Sequence, residues 1–184
     1  MAYDAVVLAG GAARRLDGVD KPMLEVGDRP MLVHVLDAVA AARVRVVVGP
    51  RRPIDRDTVW CREDPPGGGP VAGLSAAVPL TDADTVVVLA ADLPGIAPAI
   101  APLLDALSPH DVALLVRDGR RNYLAAAWRR DALVSALGRI GEPRGASMRG
   151  LIASATVAEV ADAGWGDDCD TWSDLAALRD RSSP

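Results

Sequence analysis

The sequence predicts an α/β protein with a doubly wound, mostly parallel, Rossmann-like sheet, helices on both faces, and a single domain over residues 1–184. Three observations predict it. Short β-branched runs alternate with Ala/Leu-rich stretches of helical spacing. The strand-like runs are continuously apolar, as strands covered on both faces are. A length of 184 residues suits one domain, large enough to bury a core without metal or disulfide staples.

The elements follow in order. Ala5 to Leu8 reads as a first strand. Pro30 to Ala42 reads as a helix with Pro in its first turn and an apolar stripe at Leu32, Val35, Leu36 and Val39. Strands are predicted at Val44–Val48 and Thr58–Cys61, and a helix at Pro70–Val78 after a glycine loop. Thr85–Ala90 is the most hydrophobic run and is placed at the centre of the sheet. A helix over Ala97–Leu107 is entered through Pro98. Val112–Val116, Tyr123–Trp128 and Thr156–Val160 read as strands, and Asp131–Leu137, Ser147–Ala153 and Trp172–Arg179 as helices. Residues 180–184 read as a frayed tail.

Composition narrows the function classes. The net charge of −5 disfavours non-specific binding to nucleic acid. No apolar run approaches the ~20 residues that span a bilayer. Met1 to Leu8 lacks the basic flank and long apolar stretch of a signal peptide. Cys61 and Cys169, the two cysteines, form neither a CxxC pair nor a zinc pattern. The expectation is a cytoplasmic protein without membrane or nucleic-acid partners. The chain holds a single lysine, Lys21, against an abundance of arginine, so a lysine that persists invites a chemical reason.

Ligands of open α/β sheets bind outside the carboxyl ends of the strands, and three segments fall there. The first runs Leu8-Ala9-Gly10-Gly11-Ala12-Ala13-Arg14-Arg15 and ends at Asp20-Lys21. Paired glycines after a strand let the backbone approach a ligand, and their N–H groups can form an anion nest. Arg15 and Lys21 add full positive charge. The segment lacks the Gly-Lys-Ser/Thr of a Walker A loop and is no GxGxxG fingerprint. A plain surface turn would not combine the glycines, Arg15 and the sole lysine.

The second segment, Asp64-Pro65-Pro66-Gly67-Gly68-Gly69-Pro70, reads either as a flexible turn into a helix or as a loop around base and ribose. In the latter, Asp64 accepts hydrogen bonds from a base edge or a ribose hydroxyl. The third, Asp92-Leu93-Pro94, puts a carboxylate directly after the most apolar strand. One carboxylate with phosphate oxygens and waters is how Mg²⁺ is usually held. A fourth stretch, Asp167-Asp168-Cys169-Asp170-Thr171, either caps the helix after it or brings Asp168 and Asp170 to a metal site with Asp92. His34 reads as a packing or surface residue of its helix. Arg120 and Arg121 read as a solvated hairpin turn, and Ser147 and Arg149 as a candidate phosphate contact.

Together these segments resemble the MobA-like NTP transferases, and within them the molybdenum cofactor guanylyltransferases. That family's signature, close to LAGG-x-x-x-R-M-G-G-x-D-K, appears as LAGGAARRLDGVDK, followed by His34-Val35 in a helix. Gly69-Pro70-Val71-Ala72-Gly73 matches a second motif and Asp92-Leu93-Pro94 a third. Asp168-Cys169-Asp170-Thr171-Trp172-Ser173-Asp174-Leu175 matches the C-terminal N-x-N-T-P-E-[DE]-L pattern. The resemblance implies that Leu8, Ala9 and Gly10 meet the nucleotide through their backbone, while Gly11 and Gly69 are candidate contacts from the two glycine loops themselves. By the same resemblance Lys21 would hold phosphates, Asp64 the guanosine part, and Asp92 both nucleotide and Mg²⁺; Asp170 is the candidate second metal ligand from the fourth stretch. Arg15, Lys21 and Asp92 are the catalytic candidates.

The implied reaction transfers GMP from GTP to the phosphate of molybdopterin and releases pyrophosphate. It also implies transient contact with molybdoenzyme maturation proteins. Four departures stand out. Asp17 replaces a common glycine, and Gly49 stands where an asparagine can touch the nucleotide. Asp168 and Asp170 replace two asparagines, and Tyr123 stands near a common proline. The aspartates bring the chain closer to relatives that use other nucleotides or acceptors, such as sugar phosphates, phospholactate-type acids or inositol phosphates. A nucleotide-binding accessory domain without turnover is the non-enzyme alternative.

Overall fold

Valine dominates the strands Asp4–Leu8 (β1), Arg45–Val48 (β4) and Thr85–Ala90 (β6), and valine suits a pleated surface packed on both faces. In the computed structural model, which describes residues 1–10, 19–169 and 171–176, these strands lie side by side in parallel. Val59–Cys61 (β5) extends the sheet beyond β4 in parallel. On the other side, Arg120–Arg129 (β8) pairs antiparallel with both β6 and Val112–Arg117 (β7). Val157–Ala161 (β9) closes that edge, parallel to β7. The sheet order is β5-β4-β1-β6-β8-β7-β9, seven strands with β6 at the centre as its hydrophobicity predicts. The sheet is mostly parallel, and β8 supplies both antiparallel pairings.

Helices cover both faces, and the period of two along each strand divides the core between them. On one face Val7, Val87 and Leu89 pack against Leu32, Val35 and Leu36 of Met31–Ala38 (α1) and Leu103 of Ile100–Ala106 (α3). On the other, Val6, Val46 and Val88 meet Leu74 of Pro70–Ala77 (α2), Leu133 of Arg130–Ile140 (α4) and Leu151 of Met148–Leu151 (α5). All four residues of the predicted stripe Leu32, Val35, Leu36 and Val39 are fully buried.

Several boundaries differ from the sequence expectation. Helix α1 stops at Ala38 rather than Ala42, because the chain must return to the sheet, where the Arg43 N–H donates to Tyr3 O at 2.9 Å. The helix predicted from Ala97 begins as a 3₁₀ turn over Ala97–Ala99. Strand β8 starts at Arg120, not Tyr123, so Arg120 and Arg121 are strand residues. The turn before them is Asp118-Gly119, with φ of 52° and 72°, the pair a tight type I′ hairpin favours. A small antiparallel hairpin, Glu25–Val26 (β2) with Arg29–Pro30 (β3), precedes α1 and adds two short strands to the expected set. The tail at 180–184 lies outside the described residues. Among the described residues no helix is long and apolar enough to cross a membrane.

Candidate active site

Strand β1 is the point where the sheet order reverses, with β4 on one side and β6 on the other. Crevices outside the carboxyl ends at such a point are where open α/β sheets take ligands. The exit of β1 is held from both flanks. Ala9 N–H donates to Val48 O at 2.8 Å, and Ala91 N–H donates to Leu8 O at 3.0 Å. The predicted nucleotide contacts Leu8, Ala9 and Gly10 therefore stand at this crevice, with Gly10 exposed. Gly11 and Arg15 lie outside the described residues.

Lys21 opens a 3₁₀ turn over Lys21–Met23. Its ammonium forms an ion pair with the carboxylate of Asp92, two residues beyond the end of β6. The two groups are 71 residues apart in sequence, and both are mostly buried, at 15% and 22% side-chain exposure. The structure thus joins two of the three predicted catalytic side chains. A point charge and a carboxylate facing each other at a sheet edge can receive the two halves of a metal-bound polyphosphate, the oxygens on one side and the cation on the other.

Asp64 is exposed in the loop that follows β5. Gly69, with φ 92° and ψ 179°, is the N-cap of α2, and Pro70 takes the first helical position. Gly73 brings α2 close to the β1 exit, since a Cβ there would lie 3.2 Å from both Leu8 Cδ2 and Val48 Cγ1. The glycine loop is braced from Gly141–Ser147: Gly145 N–H donates to Gly68 O at 2.8 Å and Arg144 Nη1 to Pro65 O at 3.3 Å.

The C-terminal motif reaches the same neighbourhood. Cys169 is fully buried with Val26, Met31 and Leu175. Burial pushes its thiol up in pKa. Lys21 opposes that rise, and the carboxylates of Asp174, Asp92 and Asp168 add to it. Thr171 and Asp174 form a reciprocal cap, with Thr171 N–H to Asp174 Oδ2 at 2.7 Å and Asp174 N–H to Thr171 Oγ1 at 3.2 Å. Asp168 is exposed, and Asp170 lies outside the described residues. Among the described residues no three His, Cys, Asp or Glu side chains gather to hold a metal by themselves. A single, mostly buried carboxylate beside a lysine still fits Mg²⁺, which keeps waters and substrate oxygens as its other ligands.

Other candidates resolve as structural. His34 Nε2 donates to Val26 O at 2.8 Å. Ser147 Oγ accepts from Gly150 N–H at 3.0 Å as an N-cap. Arg121 pairs with Glu159, its Nε 2.8 Å from the carboxylate. Both cysteines are free thiols.

Three structural ties escape a reading of the sequence. Arg52 grips Asp20, just before Lys21, through Nε at 2.8 and 3.0 Å and Nη2 at 2.7 Å. Asp162 Oδ1 accepts from the N–H groups of Gly164, Trp165 and Gly166 at 2.9, 2.7 and 3.2 Å. Asn122, the chain's single asparagine, donates to Gly166 O at 3.2 Å and so ties β8 to that loop. Arg52 has no local signature among so many arginines. The placement of Asp20 beside Lys21 was the available hint.

Comparison with known proteins bears on family and fold. The MobA-like NTP transferase domain matches residues 5–160. A molybdenum cofactor guanylyltransferase of Shewanella loihica is 34% identical over 125 residues, which span 64% of this chain and 64% of that relative. The molybdopterin-guanine dinucleotide biosynthesis protein A of Archaeoglobus fulgidus superposes with a TM-score of 0.74 at 19% identity, covering 97% of each chain. The 2-C-methyl-D-erythritol 4-phosphate cytidylyltransferase of Thermus thermophilus superposes with a TM-score of 0.77 at 17% identity, covering 98% of each. The two structural likenesses speak to fold alone.

Proposed function

Because this chain belongs to the MobA-like NTP transferase family, we propose that it is a nucleotidyltransferase that moves GMP from GTP to the phosphate of molybdopterin. A phosphate oxygen of the acceptor forms a bond to the α-phosphorus. The bond from that phosphorus to the bridging oxygen breaks, and its electron pair leaves with pyrophosphate. Transfers of this kind depend on in-line positioning and charge neutralisation more than on a protein nucleophile.

The observation that carries this reading is the pairing of Lys21 with Asp92 at the crevice where the sheet order reverses. Lys21 neutralises charge on the phosphates. Asp92 would hold Mg²⁺, which when bound polarises the phosphate oxygens and shields their charge. Arg15 would add a second cation from the same loop, and Asp170 a second carboxylate. Gly10 would offer its backbone N–H to the triphosphate, with Gly11 next to it in the sequence, and Asp64 and Gly69 would border the base and ribose. The guanosine and molybdopterin assignments are supported by the curated relative from Shewanella loihica, of which the matched segment covers 64%.

The test is pyrophosphate release with purified molybdenum cofactor and each of GTP, CTP, UTP and ATP, with and without Mg²⁺. Release with GTP alone, abolished by chelation, is the expected result. Preference for another base, or release with a different phosphorylated acceptor only, would overturn the specific assignment. Tight GTP binding without turnover on any acceptor would instead identify an accessory domain.

A further inference from the structure

Arg52 lies on the loop after β4 and its side chain is only 7% exposed. A guanidinium so enclosed is costly unless its donors are all used. Here Nε and Nη2 are spent on the two flanks of the segment that carries the phosphate signature, and Nη1 on its own loop. Nη2 donates to Ala9 O at 3.1 Å, at the exit of β1. Nε and Nη2 grip Asp20 as a fork, and Nη1 donates to Pro50 O at 3.2 Å. Asp20 in turn fixes the root of Lys21, because its carbonyl accepts Met23 N–H at 2.8 Å within the turn that Lys21 opens.

We infer that Arg52 is a positioning residue for nucleotide transfer: it sets the start of the phosphate segment and Lys21 at a fixed separation. This rests on the nucleotide reading above. The planar fork suits the task, since it spans a carboxylate and a backbone carbonyl in one plane, which an ammonium does not. Arg52 touches no reacting atom. Its removal frees Asp20, half of whose side chain is already in solvent at 51% exposure, so the fold should tolerate the change.

The experiment compares the full-length chain with Arg52→Ala, Asp20→Ala, the double variant, Lys21→Ala and Asp4→Ala. GTP affinity is read by calorimetry, and kcat and KM from pyrophosphate release with molybdenum cofactor. Asp4 stands at the amino end of β1, away from the crevice at its carboxyl end, and controls for lost stability. Arg52→Ala and Asp20→Ala are each expected to lower kcat about 10²-fold, the scale of a misplacement near 1 Å, and the double variant to be no worse than the poorer single. Guanidinium ion added at millimolar concentration is expected to restore part of the Arg52→Ala turnover, and the KM for the acceptor to stay unchanged. Wild-type kcat per folded molecule in Arg52→Ala, losses that multiply in the double variant, or losses matched by Asp4→Ala would overturn the inference. If Lys21→Ala keeps GTP affinity and turnover, the nucleotide reading itself fails. If Lys21→Ala loses both while Arg52→Ala keeps them, only the positioning role fails.

Discussion

A Cβ on Gly49 would stand 2.9 Å from the carbonyl oxygen of Ala9. Gly49 also has a φ of +147°, which side-chain-bearing residues rarely adopt, and its N–H donates to Cys61 O at 2.9 Å. An asparagine at this position, which the family resemblance allows, therefore has no room in this backbone. Gly49→Ala is expected to cost about 1–3 kcal/mol through backbone strain and to weaken GTP binding by moving Ala9. Thermal melts and calorimetry check both. Unchanged melting with unchanged affinity would show that the β1 exit has slack.

Lys21→Ala and Asp92→Ala should each lower the proposed transfer by about 10²–10³-fold, the usual effect of removing one preorganised charge. Lys21 lies in a 3₁₀ turn and Asp92 just beyond β6, outside the strands and long helices, so circular dichroism should report an intact fold. Near-normal pyrophosphate release in both variants would remove the site assignment altogether.

The strands and the core stripes were legible because they depend on local patterning. Val6 and Val7 must face opposite cores whatever their neighbours are. The place of β8 was not legible. Ala125, Ala126 and Ala127 read as a buried strand, but nothing local shows that it inserts antiparallel between β6 and β7. The site divides along the same line. Lys21 and Asp92 stand out by rarity and by position after a strand. Arg52 acts through partners 32 and 43 residues away, a relationship only the fold creates.

Asp4 tests the separation of stability from function. It is 1% exposed and accepts three backbone N–H groups, from Val44 at 3.1 Å, Asp82 at 2.7 Å and Ala83 at 2.8 Å. It stands at the amino end of β1, away from the crevice at the carboxyl end. Asp4→Ala would leave three donors near the sheet edge without that acceptor, at about 1–3 kcal/mol each for whichever stay dry. The expected result is a clear drop in melting temperature with unaltered GTP affinity and kcat below the transition. A change in either constant at temperatures where the variant is folded would contradict it.

Asp37 and Asp111 are two surface carboxylates that contribute to stability against acid. The Asp37 carboxyl is held below its ordinary value of 3.8 chiefly by its hydrogen bonds from Arg56, the shorter at 2.6 Å. The Asp111 carboxyl is held below 3.8 by hydrogen bonds from the backbone N–H and hydroxyl of Thr156, both at 2.8 Å. A depressed folded pKa means that the unfolded chain takes up protons first as pH falls. The stability these groups contribute is thus fully present above their unfolded pKa and is lost as pH drops through the lower folded value. Both side chains are about a third exposed, at 32% and 28%, so solvent screening keeps each contribution small. Urea unfolding at steps from about pH 6 down to about pH 2 should show a loss that begins near the ordinary aspartate range. The Asp37→Asn, Asp111→Asn double variant should be less stable at neutral pH and lose less on acidification, because it has two fewer carboxylates to protonate. An equally steep acid loss in the double variant would move the cause to other carboxylates.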